Sequence, residues 1–283
     1  MTRLIHLSDL HFGRDRPELL LPLLQAVNAA RPDLVAISGD LTQRARLRQF
    51  EAARAFINRI EAPVLCVPGN HDVPVHRPFT RLVRPFTNYR RVISTDLQPV
   101  VQLEGMNVIG LNTVDPWRWQ RGRIRSRAVR RACEICGDAP EDVLNVLVAH
   151  HPFEHKPGIE KTPMRGAEKA LKRLSDCGAD VILSGHLHVW LAEPFLTRPF
   201  GVGMLQVHAG TGLSNRNRGE PNDFAQIDRE GPRLTIGRWA ANAAGSKFEK
   251  LSDQVFLHGE TGWRSALPGR TARAAPVGME ATA

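Results

Sequence analysis

Five short groups of polar residues, spread from Asp9 to His188, hold the chemistry available to this chain: Asp9-Leu-His11, Gly39-Asp40, Gly69-Asn70-His71-Asp72, His150-His151 and Gly185-His186-Leu-His188. Carboxylate, imidazole and carboxamide oxygen make a mixed donor set. Such a set suits borderline divalent cations such as Mn, Fe, Zn or Co, whereas a Ca or Mg site would be nearly all oxygen. Two cations roughly 3.5–4 Å apart need a shared ligand, which an aspartate on a tight turn can supply. Asp40, next to Gly39, is the candidate bridge. A single Asp-x-His or Gly-Asp is common by chance, and a lone histidine after a strand is ordinarily a polar surface residue. Five groups in succession read as a two-metal site.

Each group follows a short apolar run. Leu4 to Ser8, Leu34 to Ser38, Val64 to Pro68, Val143 to Ala149 and Val181 to Ser184 have the length and the branched aliphatic content of strands buried on both faces. Helix-period stretches lie between them, at Glu18 to Ala29, Arg44 to Ile60 and Gly166 to Cys177. This alternation predicts βαβ units, whose strands present ligands at their carboxyl ends. Val100 to Leu103, Val108 to Asn112, Val189 to Leu196, Val202 to Ala209, Phe224 to Asp228 and Leu234 to Trp239 also have strand composition and are expected to complete a two-sheet sandwich, the later ones as a separate antiparallel sheet.

In this order, D-x-H, G-D, G-N-H-D, H and G-H-x-H resemble the calcineurin-like metallophosphoesterase superfamily, over about two thirds of the chain. The resemblance implies an α/β fold, a four-layer αββα sandwich of two mixed β-sheets flanked by helices. It implies two divalent metal ions (Mn, Fe, Zn or Co), one on Asp9, His11, Asp40 and His188, the other on Asp40, Asn70, His150 and His186. Neighbours on a strand point to opposite faces, so only one of His150 and His151 enters the site; the resemblance favours His150. His71 would be unligated, stabilising phosphoryl oxygens or protonating the leaving oxygen, with Asp72 orienting it. The Leu7-Ser8-Asp9-Leu10-His11 opening, the Gly69-to-Pro74 block and the short C-terminal sheet are most similar to bacterial class III cyclic-nucleotide phosphodiesterases and their broad-specificity relatives. The implied substrate is a small phosphate ester, a cyclic nucleotide being one candidate. A phospholipid headgroup diesterase, a lipid-precursor pyrophosphatase and a phosphomonoesterase are alternatives. A nuclease or a non-catalytic nucleic-acid-binding scaffold is a further reading. Dimers are common among similar proteins, so the resemblance admits a homodimer.

Composition frames these expectations. With 283 residues and 42% hydrophobic content the chain can bury a substantial core, read as one catalytic domain over residues 1–266 and a flexible tail over 267–283. No apolar stretch reaches the ~20 residues needed to span a bilayer, and Met1-Thr2-Arg3 runs straight into the first strand, so a cytoplasmic location is expected. Cys66 and Cys177 read as small core residues, and Cys133 and Cys136 as neighbours on adjacent helical turns. The net charge of +9 and pI near 10.1 point to anionic partners, a lipid or a nucleic acid. Arginines cluster over 77–91 and, with Trp117 and Trp119, over 117–131. Such a stretch can bind phosphate and stack on bases, or form a solvated helix face over packed tryptophans. One or two of these arginines are expected at the substrate phosphate. The polar loop Ser214 to Asn222 either brings arginines to phosphate or caps the sandwich edge. His6, His76, His155, His208 and His258 lie outside the groups and read as surface or hydrogen-bonded histidines, His208 being nearest to a pocket role.

Overall fold

The computed structural model describes residues 1–155, 162–195, 203–216, 219–259 and 262–266; the expected tail at 267–283 lies outside them. The chain opens with β1 (Thr2–Leu7), α1 (Pro17–Ala29), β2 (Leu34–Ile37), α2 (Leu47–Ile57) and β3 (Val64–Cys66), two successive βαβ units in which β1 pairs parallel with β2 and β2 with β3. Two short helices, α3 (Pro78–Val83) and α4 (Thr87–Val92), lead to the hairpin of β4 (Val100–Leu103) and β5 (Met106–Leu111). Then α5 (Ser126–Gly137), β6 (Leu144–Ala149), α6 (Ala167–Asp176) and β7 (Val181–Ser184) extend a second sheet by parallel pairing. It is completed by β8 (Leu191–Pro194) and β9 (Leu205–His208). The chain ends with β10 (Asp223–Glu230), β11 (Arg233–Ala241), β12 (Phe248–Gly259) and β13 (Gly262–Ser265).

The sheets have the orders β13-β12-β11-β10-β1-β2-β3 and β4-β5-β6-β7-β9-β8. The later strands therefore do not form a sheet of their own. β8 and β9 join β7, while β10 returns antiparallel to β1, with Ile5 opposite Gln226. This placement leaves neither edge of β1 or β7 unpaired, and unpaired buried backbone is costly.

Strand alternation supplies three cores at once. Leu4, Leu34 and Ala36 face Val146, Val148, Leu183 and Val207 between the sheets. Their chain neighbours Ile5, Val35 and Ile37 face outward against Leu19 and Leu23 of α1 and Phe50 of α2. On the other side Leu147 and Ile182 meet Val129 of α5 and Leu174 of α6. A period of two feeding opposite faces is the reason these strands read as continuous apolar runs. The result is the expected αββα layering.

Cys66 and Cys136 are buried free thiols, but Cys177 is not simply a core residue. It is paired in a disulfide with Cys133, because α5 and α6 lie side by side and bring the two Cα atoms to 5.3 Å. The tryptophans of the 117–131 segment are not packed beneath a helix either. Helix α5 starts only at Ser126, and Trp117 and Trp119 precede it in an irregular loop with their rings exposed.

Candidate metal centre

The carboxyl ends of β1, β2 and β3 in one sheet and of β6 and β7 in the other open on one edge of the sandwich. Backbone bonds lash the loops together there: Asp9 N donates to Gly39 O at 3.1 Å, His11 N to Asp40 O at 2.9 Å and Gly185 N to His150 O at 3.2 Å. Close approach requires glycine at two positions. A Cβ on Gly69 would collide with Oδ1 and the amide of Asp40, and one on Gly185 would collide with Ser8 Oγ and Asp9 Oδ2. The backbone is also bent to aim the side chains. Asp9, His11, Asp40, His186 and His188 all have left-handed φ, between 49° and 67°, a conformation that L side chains adopt at a cost.

Seven of the polar side chains singled out in the sequence converge. His188 Nε2 lies 3.0 Å from Asp9 Oδ1 and 3.3 Å from His11 Nε2, and His11 Nε2 is 3.4 Å from Asp9 Oδ1. On the other side Asn70 Oδ1 lies 3.1 Å from His150 Nε2 and 2.9 Å from His186 Nδ1. Asp40 Oδ2 stands between the two sets, 3.7 Å from His11 Nε2 and 3.4 Å from His150 Nε2. Donor atoms sharing one cation at about 2.1 Å stand roughly 3.0–3.4 Å apart at octahedral or tetrahedral angles. The spacing here fits two such sets sharing Asp40.

Each donor is held by its other end. Asp9 Oδ2 accepts from Ser8 Oγ at 2.6 Å and from His186 N at 2.9 Å, which leaves Oδ1 for the cavity. Asp40 Oδ1 accepts His71 N at 2.8 Å, which leaves Oδ2. His150 Nδ1 donates to Ser38 O at 2.9 Å and His188 Nδ1 to Arg216 O at 2.8 Å, so both Nε2 atoms face inward. Ser8 is in turn held by Ser38 Oγ at 2.8 Å, and Ser38 by His6 Nε2 at 2.9 Å, a buried chain running back into β1. His6 is therefore a hydrogen-bonded core histidine, and burial pushes its pKa down to about 3.

The electrostatics call for positive charge. Burial opposes ionisation throughout, yet the Asp40 carboxylate outweighs it at His150 and pushes that imidazole up to about 9. Against the same burial, His188 and His11 hold Asp9 well below the usual carboxylate range. Two ionised carboxylates that draw a proton onto a buried imidazole form a pocket that a divalent cation would neutralise.

His150 and His151 are not separated by strand alternation, because β6 ends at Ala149. Both rings reach the site, His151 lying 4.7 Å from His186 between ring centres. Only His150 touches Asp40 and Asn70. His151 turns to Thr113 Oγ1 at 2.8 Å, and burial holds its pKa well below the usual histidine value.

His71 borders the pocket, its ring edge-on to His11 at 4.9 Å, and its donor atom lies within 4.8 Å of those of His11 and Asp40. Asp72 does not orient it. The Asp72 carboxylate accepts instead from Leu41 N at 3.2 Å, Thr42 N at 2.9 Å, Thr42 Oγ1 at 3.0 Å and Gly69 N at 2.9 Å, because it points back under the Asp40 loop. The His71 ring is set by its Nδ1–H donating to Gln43 O at 2.9 Å. Burial holds the His71 pKa below its ordinary value. Its Nε2 accepts from Arg216 Nη1 at 3.5 Å. Arg216 of the Ser214–Asn222 loop thus stands beside the pocket, and Arg121 of the second arginine cluster lines a cavity together with His151 and His186; Asn217 and Arg218 of the Ser214–Asn222 loop lie outside the described residues. His208 is buried in β9 opposite Ser184 and Leu191.

The sequence profile described as calcineurin-like phosphoesterase matches residues 2–190. A protein of Synechococcus sp. named probable cyclic nucleotide phosphodiesterase is 26% identical over 161 residues, covering 56% of this chain and 58% of its own length. A namesake from Rhodococcus erythropolis is 28% identical over 218 residues, covering 70% of this chain and 69% of its own. In fold the chain is similar to a purple acid phosphatase from seeds of yellow lupin (Lupinus luteus), with a TM-score of 0.70 at 13% identity over 90% of this chain and 53% of the other.

Proposed function

The chain belongs to the calcineurin-like phosphoesterase family, and from that premise we propose that it hydrolyses phosphodiesters at a two-metal centre in which Asp40 is the shared ligand. Asp9, His11 and His188 would complete one cation's protein ligands, and Asn70, His150 and His186 the other's. Bound there, two divalent cations supply Lewis acidity to phosphate oxygens and bring the pKa of a water toward neutrality. The observation that carries the reading is the position of Asp40 Oδ2 between His11 Nε2 and His150 Nε2, with its partner oxygen fixed by His71 N.

The chain's own residues do the rest. Arg216 and His71 Nε2 offer a cationic and a protonatable group side by side at the pocket rim. An anionic phosphoryl group placed between them would offset the burial that disfavours imidazolium, so His71 would hold a proton where a leaving oxygen needs one. The Gln43 carbonyl fixes the ring tautomer for this task, as it occupies Nδ1 and leaves Nε2 to the substrate.

The relatives named cyclic nucleotide phosphodiesterases support a cyclic nucleotide as the substrate to try first. The test is product formation from 3′,5′-cyclic AMP and from bis(p-nitrophenyl) phosphate by manganese-loaded protein, with metal content measured on the same sample. Turnover of the aryl diester by the wild type and its loss, together with metal, in Asp40→Ala is expected. An Asp40→Ala protein that keeps its metal and its rate would overturn the assignment. Cleavage of the aryl diester alone would keep the mechanism and remove the cyclic nucleotide.

A further inference from the structure

Two stretches of the chain are cationic without interruption. Residues 73–95 contain five arginines and residues 116–133 contain seven, and neither stretch contains an aspartate or glutamate. The same two stretches hold the principal exposed apolar surface among the described residues. Phe79 is 79% exposed, Val83 58% and Leu82 41%, all on α3, while Trp117 is 74% and Trp119 65% exposed in the loop before α5. Side chains at i, i+3 and i+4 share one face of a helix, so Phe79, Leu82 and Val83 form a stripe.

One buried side chain joins the stripe to the tryptophans. Arg81, on the opposite side of α3, donates to Pro116 O at 2.7 Å and to Arg118 O at 2.6 Å, and its guanidinium lies 5.7 Å from the centre of the Trp119 ring. The tryptophan loop is therefore clamped to α3 rather than free to fold its rings inward. Its root is at the metal centre. Arg123 N donates to Thr113 O at 2.9 Å, Thr113 holds His151, and a Cβ on Gly122 would meet the His151 ring.

We propose that α3 and the 116–122 loop form a surface that docks on an anionic lipid bilayer, with Phe79, Leu82, Val83, Trp117 and Trp119 entering the interface and Arg77, Arg84, Arg118 and Arg121 meeting the headgroup charge. Exposed aromatics and aliphatics ringed by arginine are what a bilayer interface accommodates, the rings at headgroup depth and the cations at the anionic surface. A second copy of this chain is a poor occupant, because self-association through this face would set arginines against arginines. Single-stranded nucleic acid would use the tryptophans and arginines but has no use for the aliphatic stripe of α3. Docking by this face would set the metal-centre rim next to headgroup esters.

The test is co-sedimentation with phosphatidylcholine vesicles with and without phosphatidylglycerol, together with tryptophan emission. Of the other tryptophans, Trp263 is buried and Trp190 and Trp239 are partly so, so a change in emission reports mainly Trp117 and Trp119. Binding that requires phosphatidylglycerol, with an emission shift to the blue, is expected. Arg118→Ser should weaken it about fivefold, and Phe79→Ser with Trp117→Ser roughly tenfold or more, with turnover of a soluble aryl phosphodiester unchanged as the check on folding. Equal binding to both vesicle types, vesicle binding indifferent to these substitutions, absence of an emission shift, or tighter binding to single-stranded RNA than to vesicles would each overturn the proposal. Vesicle binding is measured on chelator-treated protein, so its failure and failure of the phosphodiesterase reading are separate results.

Discussion

Asp72→Asn separates two accounts of the residue after His71. In the structure Asp72 braces the Asp40 loop: Oδ1 accepts from Thr42 N and Thr42 Oγ1, and Oδ2 accepts from Leu41 N and Gly69 N. An asparagine keeps one acceptor oxygen. With that oxygen on the Thr42 side, its NH2 group opposes two buried backbone N–H groups and leaves both without an acceptor. A buried donor so orphaned costs about 1–3 kcal/mol, so the substitution should destabilise the protein by about 2–6 kcal/mol. For a chain of this size that is a fall in Tm on the order of 5–15 °C. Leu41 directly follows Asp40, so the shared carboxylate would drift with it, and metal content and kcat should fall together. The assay is thermal unfolding, metal analysis and aryl phosphodiester kinetics on one preparation. A variant with unchanged Tm and full metal content but a lower kcat and a displaced pH profile would refute this reasoning and restore Asp72 as a partner of His71.

Two further outcomes are expected. His71→Ala removes the group that faces the substrate with Arg216 but no donor from either ligand set, so metal content should hold while kcat falls by about 10²–10⁴; an unchanged kcat would take His71 out of the mechanism. Chelation should lower Tm, because ions that bind only the folded chain stabilise it by about 2.7 kcal/mol at a hundredfold excess over Kd. Equal Tm in chelator and in manganese would count against both cations.

The sequence made β1, β2, β3, β6 and β7 legible because each is buried on both faces, and a short uninterrupted apolar run closed by a polar turn is the pattern such burial demands. It did not reveal which sheet the later strands join. β10 pairs with β1 through backbone bonds, which any residue can make, from more than 200 positions away, as Thr2 opposite Arg229 shows. Strand β12 is illegible for a related reason. Most of Phe248–Gly259 is exposed, so no apolar alternation marks it. Helix α5 was legible at Cys133 and Cys136, but the arginine run from residue 117 gives no sign that it starts only at Ser126, where Ala128, Val129, Ala132 and Cys136 begin to trace its buried side. At the site the donor types stand out and their supports do not. His71, His150 and His188 are oriented by the carbonyls of Gln43, Ser38 and Arg216, and a carbonyl has no sequence signature. The Ser8–Ser38–His6 chain could have been suspected, since serine precedes Asp9 and Gly39 at the ends of two adjacent parallel strands.

The left-handed backbone at Asp9, His11, Asp40, His186 and His188 bears on how the centre is assembled. At about 1–3 kcal/mol each, five such residues would store about 5–15 kcal/mol, as much as the net stability of a typical protein. Glycine at these positions would relieve that strain but would supply no donor atom. The cost is met by contacts among the loops: the Asp9–Gly39 and His11–Asp40 backbone bonds, the Gly185–His150 bond between the sheets, and the four bonds to Asp72. A sandwich that closes both sheets over three apolar layers is rigid enough to hold these turns against relaxation. The donor atoms are thus held by the loops' own contacts, and substitutions in the lashings between loops should reach the chemistry as surely as substitutions among the donors.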